Sequence, residues 1–349
     1  MSHNLTIVFP SYNRGKRLYN TIAKLGENTK NLYPTIVLDN GSSREIEYYK
    51  KIGELSKKIV GLKYVKQPYN IGLQGNLASA FDHVKTEFFI VVGDEDEPKY
   101  ENLYSIEVQL SSVKNLAAAR ASTGSASNYN VHNIQYKTEI FNPGYRSIEA
   151  FGLWGNYISG GIFNTKILKE NGSVELLKQK ANLQHDYPHV FLYMLAATKA
   201  KTMLLEDIGC LVGHPEKEGG YEAFGETYFG PYSYGSRIDQ FFGFRDLILS
   251  AYETDKCVLN KNELIKLLVT LCKKYIYLVC GANMPNYYKN IMEPKYLGAS
   301  FIHYCLATLN DIPEFRAQLE ATKKFLVEYH NSVYENFLKS IPAVKKTGT

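Results

Sequence analysis

A short apolar run, Phe88–Val92 (FFIVV), leads directly into four consecutive carboxylates in Gly93-Asp94-Glu95-Asp96-Glu97-Pro98. Adjacent carboxylates repel one another and resist burial unless a cation shares the site, and hard oxygen donors select Mg²⁺ or Mn²⁺. A cation held there would bridge phosphates and neutralise the charge of a leaving group. The same tetrapeptide also fits an acidic surface turn, but its place at the end of an apolar strand favours the cation. Two further turns, Pro10-Ser11-Tyr12-Asn13-Arg14 and Asp39-Asn40-Gly41-Ser42-Ser43, also follow apolar runs. A third segment, Gln67–Asn76 (QPYNIGLQGN), enters a helical pattern. Taken singly, these residues have plainer readings. Gly41 and Gly72 serve equally well as turn formers, Asn70, Asn76 and Asp39 as helix caps, and Arg14 reads as a solvated first-turn residue ahead of a phosphate contact.

The elements that must position these residues alternate through the first hundred positions. Leu5–Phe9, Thr35–Leu38, Leu62–Val65 and Phe88–Val92 are short, β-branched or aromatic runs, as buried strands are. Helical patterns at 15–25, 44–57 and 73–84 lie between them. The βαβαβαβ order predicts a parallel sheet covered by helices on both faces, with ligands at the carboxyl ends of the strands. From 100 to 234 the expected elements are a helix at 100–113, strand-like pieces around 115–135 and 157–163, and a helix over 183–199. A Gly- and Tyr-rich loop, 219–235 (GGYEAFGETYFGPYSYG), reads as a lid or binding loop. Beyond 236, the segments 237–253, 261–282, 295–310 and 313–340 look helical. The expected division is therefore an α/β domain over 1–235, in halves 1–100 and 100–235, and a helical C-terminal extension over 236–349.

Composition narrows the function classes. The 349 residues carry 45% hydrophobic and 21% charged side chains, ordinary for a folded globular chain and unlike a disordered one. Net charge is +5, too weak for a dedicated nucleic-acid binder. Residues 235–349 hold 15 basic and 11 acidic side chains against 25 and 24 in the rest, an excess that could favour an anionic membrane surface or an oligomer contact. The 28 Tyr against a single Trp suit polar ligands with apolar faces, such as sugars. Five scattered cysteines without metal-ligand spacing fit free thiols in a reducing compartment. No signal peptide is visible, and Lys266, Lys273 and Lys274 argue against a membrane span at 264–282. The expected location is the cytoplasm, with peripheral association at the inner face of the membrane as a variant.

FPSYNR, VLDNGSS, NIGLQGNLASAF and FFIVVGDEDEP occur in that order and spacing, and together they resemble the nucleotide-sugar-binding half of a family-two glycosyltransferase with the GT-A fold. The resemblance covers residues 4–100 well, thins through 215 and is absent after that. It implies that Pro10 and Tyr12 hold the base and ribose of a nucleotide-diphosphate sugar, probing them with backbone groups and a ring. Asp39 would accept a hydrogen bond from the base, most simply the N3–H of uracil. Asn70, Gly72 and Asn76 would line the pocket wall. Asp94 to Asp96 would be the DxD motif, with Asp94 and Glu95 beside the nucleotide and Asp96 and Asp94 on Mn²⁺ or Mg²⁺. Many relatives carry two acidic residues where this chain has Asp39-Asn40, which leaves other pyrimidine nucleotides open.

The resemblance extends more thinly to the acceptor side. Trp154, Gly160 and Gly161 fall where relatives hold the transferred sugar and the acceptor, although a tight packed turn explains them equally. His214 falls where some relatives place an extra metal ligand. His185 and His189 have the spacing of a metal pair, but Pro188 and the lack of a third ligand exclude zinc. An inverting displacement needs a base for the acceptor's proton. Relatives supply an acid at a helix start roughly 80 to 110 residues after the DxD motif, which selects Asp186, with His185 as its nearest substitute. Asp186 also reads as a plain N-cap. Glu149, Glu206 and Asp207 are weaker candidates. The expected activity is metal-dependent, inverting transfer of a sugar from a nucleotide diphosphate to a hydroxyl of a bacterial surface glycan or lipid-linked glycan. Its rivals are a non-catalytic glycan-binding scaffold and a sugar-phosphate nucleotidyltransferase, the latter disfavoured because FPSYNRG is not a Gly-rich, Arg-containing loop. A dinucleotide-binding dehydrogenase is disfavoured by the lack of G-x-G-x-x-G after the first strand.

Overall fold

The computed structural model describes residues 3–27, 33–125, 133–155, 157–179, 187–213, 234–253, 259–280 and 294–340. The chain divides into two compact units, Met1–Glu226 and Thr227–Thr349. In the first, β1 (Leu5–Ser11), β2 (Thr35–Asp39) and β4 (Phe88–Val91) are buried along their whole length. β3 (Leu62–Lys66) is the outer strand, and only its first residue is fully buried. Between these strands run α1 (Gly15–Glu27), α2 (Ile46–Ser56) and α3 (Gly72–His83). Apolar strands of this kind must be covered on both faces, and the intervening helices supply the cover.

These four strands are parallel in the order β3-β2-β1-β4. Strand order therefore reverses between β1 and β4, which opens a crevice beyond their carboxyl ends. Past β4 the sheet is mixed. β8 (Gly161–Asn164) runs antiparallel between β4 and β6 (Leu116–Ser125), so the parallel sheet expected of the first hundred residues continues as a mixed one. β9 (Lys201–Val212) pairs parallel with β6. Two short strands, β5 (Glu97–Pro98) and β7 (Glu139–Phe141), join β9 antiparallel. The second half also contains α4 (Tyr100–Ser112), a π-helical turn at Ser147–Gly152, α5 (Thr165–Glu170), α6 (Ser173–Gln179) and α7 (Pro188–Lys199). A run of rings fills one side of the sheet: Phe81 meets Phe89 edge-on at 5.0 Å, and Phe163 stacks on Tyr193 at 5.2 Å.

The second unit is helical: α8 (Tyr234–Glu253), α9 (Lys261–Cys280), α10 (Pro294–Asn310), α11 (Pro313–Arg316) and α12 (Leu319–Ser340). Its core is aromatic, with Phe241 edge-on to Phe301 at 5.6 Å and to Tyr275 at 5.9 Å. Among the described residues no helix is long and apolar enough to cross a membrane. Among the described residues, Cys210, Cys272, Cys280 and Cys305 are buried and form no disulfide.

Candidate functional site

Strand ends bring three of the sequence motifs to the crevice between β1 and β4. The chain leaves β4 through Gly93 and turns at once, the Asp96 N–H donating to the Gly93 carbonyl at 3.0 Å. Asp94 and Asp96 are both buried, at 7% and 1% exposure, so the cluster is not the acidic surface turn that sequence alone allows. Asp94 receives the Ser11 hydroxyl at 3.0 Å from the end of β1 and the Arg14 guanidinium at 3.1 Å. Arg14 also reaches Glu95 at 3.2 Å, and Arg17 approaches Glu95 at 3.7 Å. Arg14 is thus an electrostatic partner of the acidic cluster rather than a solvated first-turn residue. Tyr49, from α2, ties the same turn: its hydroxyl meets Ser11 Oγ at 2.7 Å and accepts the Arg14 N–H at 3.1 Å.

Asp96 sits in a different set of donors. Its Oδ1 accepts the Gly213 N–H at 2.9 Å, at the end of β9. Its Oδ2 accepts the Tyr157 hydroxyl at 2.6 Å and the Ser159 hydroxyl. Ser159 Oγ in turn accepts the Gly93 N–H at 2.7 Å. Burial pushes both carboxyls above the ordinary carboxylate range, because a charge in that setting has lost its water. The Arg14 guanidinium opposes the rise at Asp94, and the Ser159 and Tyr157 hydroxyls oppose it at Asp96, while Glu95 adds to it at both. The donor set is hard oxygen, and two carboxylates raised by desolvation are groups that a divalent cation would relieve, so Asp94 and Asp96 fit Mg²⁺ or Mn²⁺. Among the described residues no group of three or more His, Cys, Asp or Glu gathers as a metal cage.

The β2 turn builds the other wall. Asp39 is fully buried, its Oδ1 accepting the Ser42 N–H at 2.8 Å and its Oδ2 the Tyr64 hydroxyl at 2.6 Å. It does not cap α2, which begins seven positions later at Ile46. Asn40 clasps the next motif: its Nδ2 donates to Asn70 Oδ1 at 2.7 Å, and its Oδ1 accepts the Ile71 N–H at 3.0 Å. Gly41 has φ +68°, and a Cβ there would lie 2.4 Å from the Tyr69 backbone, so this crossing of two loops requires glycine. Asn70 does act at the entry to α3, accepting the Gly72 N–H at 2.9 Å. Asn76 does not cap; it lies inside α3 and donates to the Leu38 carbonyl at 2.9 Å, leaving its Oδ1 buried without a partner. Pro10 is buried in β1, and Tyr12 is half-buried just beyond it.

On the β8 side, Trp154 is 45% exposed. Its carbonyl and that of Phe151 accept the buried Arg120 guanidinium, at 3.4 and 2.8 Å. The close approach that the next glycines permit is made by the protein itself. A Cβ on Gly161 would lie 2.1 Å from the Tyr193 hydroxyl, and one on Gly160 would lie 3.0 Å from the Ala121 carbonyl. Glu149 accepts the Tyr145 hydroxyl at 2.6 Å, and Asp207 accepts Ser105 and Gln109 from α4 at 2.7 Å each, so both are occupied in local structure. Asp186, His185 and His214 lie outside the described residues. Sequence reasoning missed Ser11, Tyr49, Tyr64 and the pairing role of Arg14. The first and last belong to the quoted FPSYNR motif, but nothing in the spacing assigns the two tyrosines.

Residues 6–172 match the family model described as glycosyl transferase family 2. The matched segment is the one that carries the four motifs in register. No curated protein sequence matches the chain. In fold the chain is similar to Staphylococcus aureus TarS 1–349, with a TM-score of 0.61 at 14% identity over 96% of this chain and 91% of that one. The same TarS segment in complex with UDP-GlcNAc aligns with a TM-score of 0.64, and in complex with UDP with 0.60, both at 14% identity and the same coverage. The likeness spans both units, and at this identity it shows the GT-A fold with its helical extension.

Proposed function

We propose that the chain is an inverting glycosyltransferase that moves a sugar from a UDP-linked donor to a hydroxyl of a growing bacterial surface glycan, free or lipid-linked. The observation that carries this reading is the pair of buried carboxylates, Asp94 and Asp96, at the carboxyl end of β4 beside the reversal of strand order. The family match over residues 6–172 supports glycosyl transfer, and the UDP and UDP-GlcNAc complexes of TarS, a protein of similar fold, support a uridine donor.

In this reading Asp39 accepts the N3–H of uracil, the Tyr12 ring packs on the base beside Pro10, and Asn70, Gly72 and Asn76 line the wall. Asp94 and Glu95 orient the ribose and diphosphate. Asp96 and Asp94, with His214, would hold Mn²⁺ or Mg²⁺, which when bound supplies positive charge to the departing diphosphate. Asp186, two residues before α7, takes the proton of the acceptor hydroxyl as its oxygen attacks the anomeric carbon. The new C–O bond forms on the face opposite the breaking one, which inverts that carbon and needs no covalent intermediate. Trp154, Gly160, Gly161 and His185 border the transferred sugar and acceptor. The basic excess of residues 235–349 supports work at the cytoplasmic face of an anionic membrane, or in a homo-oligomer; vesicle cosedimentation and light scattering test those two.

A thermal-shift screen of nucleotide sugars with and without Mn²⁺ tests the donor. A ligand at a hundred times its Kd adds about 2.7 kcal/mol, or about 5–10 °C for a domain of this size. Cation-dependent stabilisation by a UDP-sugar is expected. Stabilisation by no nucleotide sugar would refute the reading and favour a glycan-binding scaffold.

A further inference from the structure

We propose that Tyr157 and Ser159 are positioning residues that tie the Asp96 carboxylate to the segment carrying Trp154, so that capture of a divalent cation at Asp96 also sets the wall on which Trp154 lies. The proposal rests on the cation reading above.

The segment from Trp154 to Gly161 is fixed at both ends. At one end Arg120 donates to the carbonyls of Phe151 and Trp154, and its guanidinium lies 3.1 Å from where a Gly155 Cβ would be. At the other, Gly160 donates to the Val91 carbonyl at 3.0 Å and its own carbonyl accepts the Ala121 N–H at 2.9 Å, delivering the chain into β8. The side-chain hydroxyls of Tyr157 and Ser159, between these anchors, both end on Asp96 Oδ2. A carboxylate has about four lone-pair sites. Two hydroxyls occupy Oδ2, and the Gly213 N–H occupies one site of Oδ1. A free lone pair thus remains on Oδ1, and a cation can bind there without displacing either hydroxyl.

The hydroxyls therefore hold the carboxylate in one rotamer with one oxygen offered. Any change in the position of Asp96 on binding is passed to Tyr157 and Ser159, and through a few residues of backbone to Trp154. Outer hydrogen-bond partners of a metal-ligating group commonly govern affinity by about 10–100-fold. Trp154 is the single Trp of the chain and is partly exposed, so its emission reports on this segment alone.

The test is a pair of Mg²⁺ titrations of the full chain with UDP present, one followed by calorimetry and one by Trp emission; Mg²⁺ avoids paramagnetic quenching. In the parent, Mg²⁺ binding should shift or quench Trp154 emission. Tyr157→Phe removes one hydroxyl and should weaken Mg²⁺ by about 10–100-fold and abolish the emission change at saturation. Ser159→Ala, the second variant, should act in the same direction. Calorimetric binding with an emission response absent in the parent, or unchanged in both variants, overturns the coupling and leaves the cation reading intact. No calorimetric binding in the parent removes the cation reading and the coupling with it.

Discussion

Replacing Asp96 separates two consequences that the structure joins. A carboxylate in a surface cluster would be dispensable for folding, and Asp96→Ala would then abolish turnover at no cost in stability. Asp96 is instead 1% exposed and accepts the Gly213 N–H and the Tyr157 and Ser159 hydroxyls. Alanine strands these donors unequally. The hydroxyls can rotate toward water entering the vacated space, but the Gly213 N–H is fixed in the backbone and loses its partner, at about 1–3 kcal/mol. Relief of the buried charge offsets part of the remaining loss. The net cost of Asp96→Ala is therefore about 1–3 kcal/mol, or about 2–12 °C in Tm for a unit of this size. Asparagine keeps the shape. Its carbonyl can accept the Gly213 N–H while its amide donates to hydroxyls that turn to accept, so Asp96→Asn should fold within about 1 kcal/mol of the parent. Both variants should lose transfer and cation binding. Thermal unfolding, a transfer assay and Mg²⁺ calorimetry on the two proteins decide the matter. An unchanged Tm for Asp96→Ala would refute the hydrogen-bond accounting, and retained transfer in Asp96→Asn would refute a place for this carboxylate in the chemistry.

Asp186→Asn should retain fold and donor binding and lose transfer by about 10²–10⁴-fold; a rate within a few-fold of the parent assigns Asp186 to capping and sends the search for the base elsewhere. Tyr64→Phe removes the 2.6 Å hydrogen bond on Asp39 and should weaken UDP by about 3–10-fold in a calorimetric titration, an unchanged Kd showing that Asp39 needs no such support. Arg14→Met leaves Asp94 without its 3.1 Å guanidinium and should cost about 1–3 kcal/mol in denaturant unfolding, whereas Arg17→Met, at a longer and more exposed contact, should cost under about 1 kcal/mol; equal costs would sink the distinction. EDTA should abolish transfer and Mn²⁺ or Mg²⁺ restore it, and activity indifferent to EDTA would remove the cation from the mechanism.

What could be read from the sequence divides along the sheet. In β1, β2 and β4 every residue is buried, so apolar runs stand out, and the runs close on Pro, Asp-Asn-Gly or Gly, although β1 itself continues through Pro10 to Ser11. Nothing non-local is needed to see them, and the crevice follows from their order. β9 is different. Its register against β6 shifts between Ala121 and Ser122 and again before Thr123, so inward and outward positions do not alternate evenly. Glu206 and Asp207 sit where that alternation breaks, and Asp207 is turned to Ser105 and Gln109 of α4. A bulged strand with two acids at its middle has no period-2 signature, which is why Lys201–Val212 went unread and its acids looked like candidate bases. β6 is legible as a strand-like piece within 115–135, although Leu116–Ser125 is rich in Ala, a poor strand former, and the strand is held by its neighbours rather than by propensity.

The candidate site divides in the same way. Residue types announce themselves when the chemistry is local, as the carboxylates after β4 do. The settings that give those carboxylates their properties are assembled from distant positions. Ser11 and Arg14 reach Asp94 across some eighty residues, while Tyr157 and Ser159, just before β8, and Gly213, just after β9, converge on Asp96 from strands that β6 separates in the sheet. Two aspartates one residue apart therefore sit in opposite surroundings, one answered by a guanidinium and the other by neutral donors. Their spacing in sequence is identical in every DxD tripeptide; their difference is written by β1 on one side and by the segment before β8 on the other. A cation shared by both would meet one carboxylate already compensated by a positive charge and another answered by neutral donors alone. On that physical ground, Asp96 rather than Asp94 is the carboxylate whose loss should most reduce cation affinity, and the two Asp→Asn variants compared by Mg²⁺ calorimetry give the ranking directly.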